Sequence, residues 1–303
     1  MIHVAEAAEA KGRVVVHAGS GTPSLVALEA AVWLARAFQS EIECVYVENQ
    51  ELVALASHPC SREISLSGRG SREVSLVAIE REFRFGSEAF HRAMEACARA
   101  AEIAVNSRVL REEPVRALHA VCASCGPWNA VALAEPFTTP GSPPIKALLD
   151  NVRDATGLLL VGPNIQRIAG PIVIALEEPD LLTAMLGVAD RLSAVAAGAQ
   201  GRTVAAGAQA RVHQAETAVC LVGIGPEDLA ALEGATRLVL AEWPNARLAG
   251  TILTHGSEAA LAEALRRMQP GLVMGQYGGM LLSENGDARP LAACLECPLL
   301  LLR

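Results

Sequence analysis

Lysine, aromatic residues and charge are all scarce in this sequence. Only Lys11 and Lys146 are lysines, aromatic residues make up 3% of the 303 residues, and charged residues make up 19%, with a formal net charge of −8. Nucleic-acid binding needs a basic surface that displaces counterions, and binding of single strands needs rings on which bases stack. The composition therefore predicts that nucleic acid is not a partner.

Long apolar runs are also missing. No run of 18 apolar residues occurs, so no membrane span is expected. Residues 1–11 are polar and rich in Ala and Glu, without the apolar centre of a secretory signal. These features predict no membrane partner and a cytoplasmic location, where the eight cysteines would be reduced thiols.

Apolar residues are abundant, at 51% of the chain, which is enough for a large core. Short apolar runs alternate with longer amphipathic segments in the order β-α-β-α-β-α-β-α-β, and this order then restarts. Such units predict parallel sheets covered by helices on both faces. The predicted fold is α/β, with two tandem five-stranded, mostly parallel sheets in domains 1–165 and 166–303.

The strands are expected at 14–16, 42–47, 107–111, 130–134 and 158–161 in the first half, and at 172–176, 218–222, 248–253, 272–274 and 299–302 in the second. The main helices are expected at 22–39, 87–104, 115–124, 144–155, 180–197, 226–242, 257–268 and 288–295. The last strand of each half is apolar on both faces and needs a partner along its edge. We therefore expect the halves to pack through these strands as an intramolecular pseudo-dimer, with a homodimer as a further option.

A long insert is expected at 48–86 in the first half. It contains a near-repeat in which Ser-Arg-Glu-Ile-Ser-Leu at 61–66 is followed by Ser-Arg-Glu-Val-Ser-Leu at 71–76. The repeat fits either a small hairpin or a mobile interaction loop. With this insert, the first half is interpreted as a scaffold for a protein partner that the sequence does not identify.

The order of elements and the end of the chain resemble tandem universal stress proteins. The likeness extends from about Gly12 to Arg303, and it includes a Cys-Pro step at 297–298 that leads into an apolar strand and a final Arg. The resemblance implies a Rossmann-like fold and a non-enzymatic, regulatory role in a stress response. It also implies that an adenine nucleotide is the ligand to look for.

ATP-binding members of that family carry Gly-x-x-Gly, nine residues, and then Gly with Ser or Thr, after the fourth strand. Such glycines let backbone N–H groups approach phosphates closely. In the second half, Gly275 and Gly278 stand at this place and are followed by Gly279. Seven residues separate Gly278 from Gly286, where the family has nine, and Asp287 follows Gly286 where a hydroxyl should donate.

The resemblance also implies an acid at the end of the first strand and an apolar residue at the end of the second. The second half has Glu177 and Val222 at these places, whereas the first half has His17 and Val47 and no glycine pair at 134–140. The implied nucleotide site therefore lies in the second half alone, with ATP as the ligand. Its residues are Glu177, Val222, Gly275, Gly278 and Gly279.

Two cysteine motifs leave several interpretations open. His119, Cys122 and Cys125 form His-x-x-Cys-x-x-Cys, and Cys294 and Cys297 form Cys-x-x-Cys. Two such pairs that met in space would bind zinc, and a pair at a helix N-terminus would be redox-active. Cysteines that act as small buried apolar residues are the third interpretation, and it leads us to expect no metal ligands.

Residues 19–22, Gly-Ser-Gly-Thr, stand between a strand and a helix. The segment fits an anion-binding helix start or a tight turn, but it lacks a Walker lysine and a full dinucleotide motif. No Gly-x-Ser-x-Gly elbow occurs, so no catalytic residue is expected. The alternatives to a stress protein are a scaffold without a small ligand, or an adenylate-forming or thiol-redox enzyme on a related fold.

Overall fold

The computed structural model describes residues 12–19, 24–65, 70–126, 128–133, 148, 150–165, 168, 170–203, 216–223, 226–253, 258–279, 281 and 288–303. The strands are β1 (Arg13–Ala18), β2 (Ile42–Asn49), β3 (Arg62–Ile64), β4 (Ser71–Glu73), β5 (Val105–Glu112), β6 (Asn129–Leu133), β7 (Ala155–Leu160), β8 (Ile172–Leu176), β9 (Thr217–Gly223), β10 (Ala246–Leu253), β11 (Leu272–Gln276) and β12 (Leu299–Leu302). The helices are α1 (Leu25–Phe38), α2 (Gln50–Ser57), α3 (Leu76–Arg99), α4 (Pro114–Cys125), α5 (Leu182–Thr203), α6 (Pro226–Leu240), α7 (Glu258–Arg267) and α8 (Arg289–Cys294), with a 3-10 turn at Pro179–Leu181.

Ten of these strands form one sheet in the order β5-β2-β1-β6-β7-β12-β11-β8-β9-β10. The predicted contact between the two last strands is present: β7 and β12 pair antiparallel, with Leu299 opposite Leu160 and Leu302 opposite Gly157. All other neighbouring pairs in the sheet are parallel. The five strands predicted for each half are therefore joined in one ten-stranded sheet, because each last strand satisfies its open edge with the other.

Helices cover both faces of this sheet, as the β-α alternation predicts. Apolar residues of α1, α3, α5 and α6 pack on one face, and those of α4, α7 and α8 pack on the other. Successive strand residues serve opposite faces: Val14 and Val16 belong to the first core and Val15 to the second. Strands between two such cores are buried along their whole length, as β8 and β9 are.

Helix α3 starts eleven residues before the predicted position of 87. Ser75 caps it, and the Ser75 Oγ accepts the Ala78 N–H at 3.3 Å. Gly86, the last residue of the expected insert, lies inside the helix. A Cβ atom there would overlap the Tyr46 hydroxyl, so the glycine lets α3 pass close to β2. Residues 76–86 of the expected insert therefore belong to a core helix.

The hairpin interpretation of the near-repeat is confirmed. β3 and β4 pair antiparallel, with Glu63 opposite Arg72, and these two side chains form an ion pair of 2.5 Å. All six strand residues are exposed. The hairpin therefore lies on the surface, apart from the ten-stranded sheet.

Other predicted boundaries shift by a few residues. Ser24 caps α1, whereas the predicted cap at 22–23 lies outside the described residues. Helix α5 continues to Thr203, six residues beyond its predicted end at 197. Residues 144–147 and 149 of the helix predicted at 144–155 also lie outside the described residues, and its last residue begins β7. Within the described ranges, no helix combines the length and the apolarity that a membrane span requires.

Candidate functional site

The second half of the sheet has a topological switch point at β8. This strand lies between β9 on one side and β11 on the other, and all three run parallel. In open α/β sheets, ligands bind outside the carboxyl ends of the strands at such a point. Glu177 directly follows β8, Val222 is near the end of β9, and 275–279 cover the end of β11 and the turn after it. The structure therefore brings all five predicted site residues to one edge of the sheet.

Glu177 is engaged with the turn that follows β11. Its Oε1 accepts the backbone N–H of Leu281 at 3.3 Å. Gly279 lies directly against the same carboxylate, because a Cβ atom on Gly279 would overlap the Glu177 side-chain oxygens. A turn amide thus donates to a carboxylate at the place where the resemblance implies phosphate contacts.

Leu281 fills the space beside Gly275. A Cβ atom on Gly275 would overlap the Leu281 Cδ1, and Leu281 is only 1% exposed. Val222 is equally buried and belongs to the same apolar core as Leu281. Nothing in the sequence pattern singled out Leu281, since a leucine after a glycine pair is typical of any turn that returns to a core.

Gly278 is the open position of the turn. Its φ is +83°, a conformation that residues with a Cβ rarely adopt, and no described atom lies within 4 Å of a Cβ built there. Gly278 is exposed, whereas Gly275 is buried. A ligand at the end of β11 would therefore meet the backbone of Gly278 first.

Polar contacts fix the start of the turn. The Tyr277 N–H donates to the Leu302 carbonyl at 2.6 Å, and its hydroxyl is hydrogen-bonded to the Asp150 carboxylate. The Arg303 guanidinium lies 5.1 Å from the centre of the Tyr277 ring. Sequence reasoning missed Tyr277, although an aromatic residue inside a glycine-rich turn is a usable signal in a chain so poor in aromatics.

No protein-family model and no curated protein matches the sequence. Among solved structures, the chain is similar to a universal stress protein from Archaeoglobus fulgidus DSM 4304, with a TM-score of 0.56 and 11% identity over 95% of this chain and 96% of that one. It is also similar to a putative universal stress protein from Pseudomonas aeruginosa UCBPP-PA14, with a TM-score of 0.50 and 12% identity over 97% and 93%.

The chain has a universal-stress-protein-like fold. The likeness covers nearly the whole chain, so it includes both halves of the sheet. Identities of 11% and 12% show the fold alone, and function has to be argued from the site.

In this universal-stress-protein-like fold, the carboxyl edge of the first half of the sheet differs from that of the second half. β1 lies between β2 and β6, so a second switch point exists there. Its β1 ends with the half-buried His17 and the buried Ala18, and Val47 near the end of β2 is 2% exposed. Outside the described residues lie 134–147, residues 20–22 of the glycine-rich segment, and Gly286 and Asp287 of the second half.

The cysteine motifs do not form a described redox or metal centre. Burial raises the pKa of the Cys122 thiol to about 12, and the negative charges of Cys125 and Asp154 add to the increase. A thiol with such a pKa is a poor nucleophile and a poor redox group. Cys122 and Cys125 are buried, as is Cys297, whereas Cys294 is exposed.

His119 differs in burial from the two thiols of its motif. It is exposed and lines a polar cavity of about 480 Å³ with Glu113, Arg116 and Asn151, at the start of α4. Within the described part of the chain, no three His, Cys, Asp or Glu side chains are grouped so as to hold a metal ion. The buried-apolar interpretation therefore fits Cys122 best.

Proposed function

We propose that this chain is a non-enzymatic regulatory protein of a stress response that binds an adenine nucleotide in its second half only. The observation that supports the proposal is the convergence of Glu177, Val222 and the 275–279 turn at the switch point beside β8. The turn glycines allow backbone N–H groups to approach phosphates, and the fold places apolar strand ends beside them. In this proposal no residue acts as a catalyst, and bound ATP is not hydrolysed.

Glu177 makes this binding conditional. Its carboxylate accepts the Leu281 N–H and lies against Gly279, so it occupies the side of the turn that a phosphate would need. Two negative groups at one turn repel each other. A nucleotide would therefore bind only when Glu177 leaves the turn, and we expect weak binding by the natural chain.

Titration with ATP by calorimetry tests the proposal. Because Glu177→Gln removes the competing charge, we expect it to bind ATP about tenfold more tightly than the natural chain, or about 1.4 kcal/mol. Gly278→Asp should abolish ATP binding. Gly278→Asn should retain it, because Asn has the same size as Asp and must adopt the same positive φ, but carries no charge. If neither the natural chain nor Glu177→Gln binds ATP while both are folded, the proposal is wrong.

The other half has a different task in this proposal. Domains 1–165 and 166–303 form a cytoplasmic, intramolecular pseudo-dimer through β7 and β12, and the first domain binds a protein partner. The exposed β3–β4 hairpin supports this division, because it lies outside the main sheet. A hairpin deletion that leaves ATP binding by Glu177→Gln unchanged would separate the two tasks.

A scaffold without a small ligand is the second candidate function. The buried Leu281 side chain beside Gly275 and the Glu177 hydrogen bond favour it, because together they satisfy the site internally. Mass spectrometry of nucleotide released from freshly purified, denatured protein distinguishes the two. Stoichiometric ATP or ADP contradicts the scaffold function, and pyrophosphate release from ATP with a co-substrate would favour an adenylate-forming enzyme.

A further inference from the structure

A second cavity lies away from the candidate nucleotide site, on the face of the sheet that α1 and α5 cover. Its volume is about 410 Å³, within the range of roughly 300–1,000 Å³ that is typical of small-molecule pockets. It lies over the junction of β7 and β12, where the two halves of the sheet meet. Glu177, Val222, Gly275, Gly278 and Gly279 do not line it.

The walls of this junction cavity are apolar. Leu34 comes from α1, Met185 and Val188 from α5, and Leu300 and Leu302 from β12. Gly157 of β7 also lines the cavity, and a Cβ atom there would lie 3.4 Å from the Leu302 Cδ2 and 3.7 Å from the Leu300 Cδ1. The absence of a side chain at Gly157 therefore leaves room above the central strand pair.

Two arginines supply the charge of the junction cavity. The described lining residues include Arg191 and Arg303 and no Asp or Glu, in a chain with a net charge of −8. The Arg191 guanidinium lies 5.5 Å from the centre of the Phe38 ring, and Phe38 packs on Trp128 at 5.3 Å. These contacts hold a cation at the rim of an apolar space.

Arg303 is positioned by its own contacts. Its Nη1 donates to the Arg153 carbonyl at 3.1 Å, and its guanidinium lies over the Tyr277 ring. A guanidinium presents its N–H donors in a planar fork that matches the geometry of a carboxylate. Apolar walls beside two guanidinium groups match a ligand with a hydrocarbon part and one anionic group.

We propose that the junction cavity binds an amphipathic carboxylate with an aliphatic chain, of the class of medium-chain fatty acids. The chain lies against Met185, Val188 and Leu300, and the carboxylate pairs with Arg191, with Arg303 as the second cation. A nucleotide does not suit this space, because its base and sugar would leave polar groups against apolar walls. The inference is independent of the function proposed above, since it uses none of the residues of that site.

Calorimetric titration of the full chain with sodium decanoate tests this inference. We expect saturable binding with one molecule per chain, and at least tenfold weaker binding of 1-decanol, which has the same chain length without the charge. Arg191→Gln should weaken decanoate binding at least tenfold. The matched control is Arg237→Gln on α6, where the exposed Arg237 pairs with Glu233 on the helix surface, and it should bind decanoate like the natural chain.

A cavity-filling variant tests the location. Ala184 is exposed on α5 and lines the cavity, so Ala184→Trp places a large side chain in it without replacing a core residue. We expect this variant to lose decanoate binding and to keep its thermal unfolding transition. The inference is overturned if the folded natural chain shows no saturable decanoate binding, if decanol binds equally well, or if neither Arg191→Gln nor Ala184→Trp weakens binding.

Discussion

Two carboxylates of this protein differ in burial and in the groups that they contact. Glu43 on β2 is fully buried, and Arg13 and Arg108 pair with it at 2.6 Å and 2.5 Å. A buried carboxylate needs such partners because desolvation is costly. Glu177 is half-buried and pairs with a turn amide instead. Glu43 is therefore a structural charge, whereas Glu177 is a charge that a ligand could displace.

Thiol reactivity is a property of single residues that burial decides. Burial raises the pKa values of Cys44, Cys122 and Cys220 to about 12, so only about one in ten thousand of these thiols is ionised at pH 8. We expect the exposed Cys60 and Cys294 to react with a thiol reagent at pH 8. The three buried thiols of Cys44, Cys122 and Cys220 should remain unmodified.

Peptide mapping by mass spectrometry checks this expectation. Because each raised pKa lies far above the working range, a change from pH 7 to pH 9 should leave the three buried thiols unmodified. Protein unfolded in urea is the control, and all eight cysteines should react there. Rapid modification of Cys122 in the folded chain would contradict the buried-apolar interpretation and revive the thiol-redox alternative.

At the scale of elements, the side chains between a helix and a strand decide how closely the helix can pack on the sheet. Helix α3 runs through Gly86 and buries Phe83, Phe90 and Met94 against the sheet. A glycine inside a helix usually costs about 1 kcal/mol relative to alanine. Here that cost is offset, because the glycine lets the helix lie against Tyr46.

Alanine substitution in helices should therefore have opposite effects at two glycines. We expect Gly86→Ala to destabilise the protein by about 1–3 kcal/mol through overpacking against Tyr46. Gly187→Ala in α5 should stabilise it by about 0.5–1 kcal/mol, since no described atom lies within 4 Å of a Cβ there. Urea unfolding measures both. Equal changes in the free energy of unfolding at the two positions would show that the contact between α3 and β2 leaves room for a side chain at position 86.

At the scale of the whole molecule, one sheet joins the two halves. β7 and β12 connect them through backbone pairing, and the Trp33 Nε1 on α1 donates to the Leu192 carbonyl on α5 at 3.1 Å. The junction is apolar on both sides, because Leu159 and Leu300 belong to one core and Leu158 and Leu301 to the other. The halves therefore share their cores as well as their sheet.

Such sharing predicts cooperative unfolding. Hydrogen exchange in increasing urea should show amides of β1 and β8 losing protection at the same urea concentration. Leu301 lies at the junction and is 1% exposed, so Leu301→Ala should lower the free energy of unfolding by about 2–5 kcal/mol. Both strands should then lose protection at the same, lower urea concentration. Leu238→Ala, at a 78% exposed position of α6, is the matched control and should change neither strand. Separate losses for β1 and β8 would contradict a shared core.

The predictable part of the site is a matter of chain order. Parallel strands have their carboxyl ends at one edge of the sheet. The order of the strands along the chain is therefore enough to predict that Glu177, Val222 and the 275–279 turn lie at the same edge. The engagement of Glu177 with Leu281 could not, because it depends on the path of the turn after Gly278. The junction cavity could not either, since its residues come from α1, α5, β7 and β12.

The sequence by itself determined the α/β alternation, the positions of most strands and the pairing need of the two last strands. These features depend on local apolar patterns and on the backbone groups of a strand edge, which the chain order already specifies. Only the tertiary structure decided that β7 and β12 pair antiparallel, that Gly86 lies within a helix, and that the Glu177 carboxylate contacts the glycine turn. Each of these depends on contacts between residues far apart in the chain, and local patterns do not encode the distances between them.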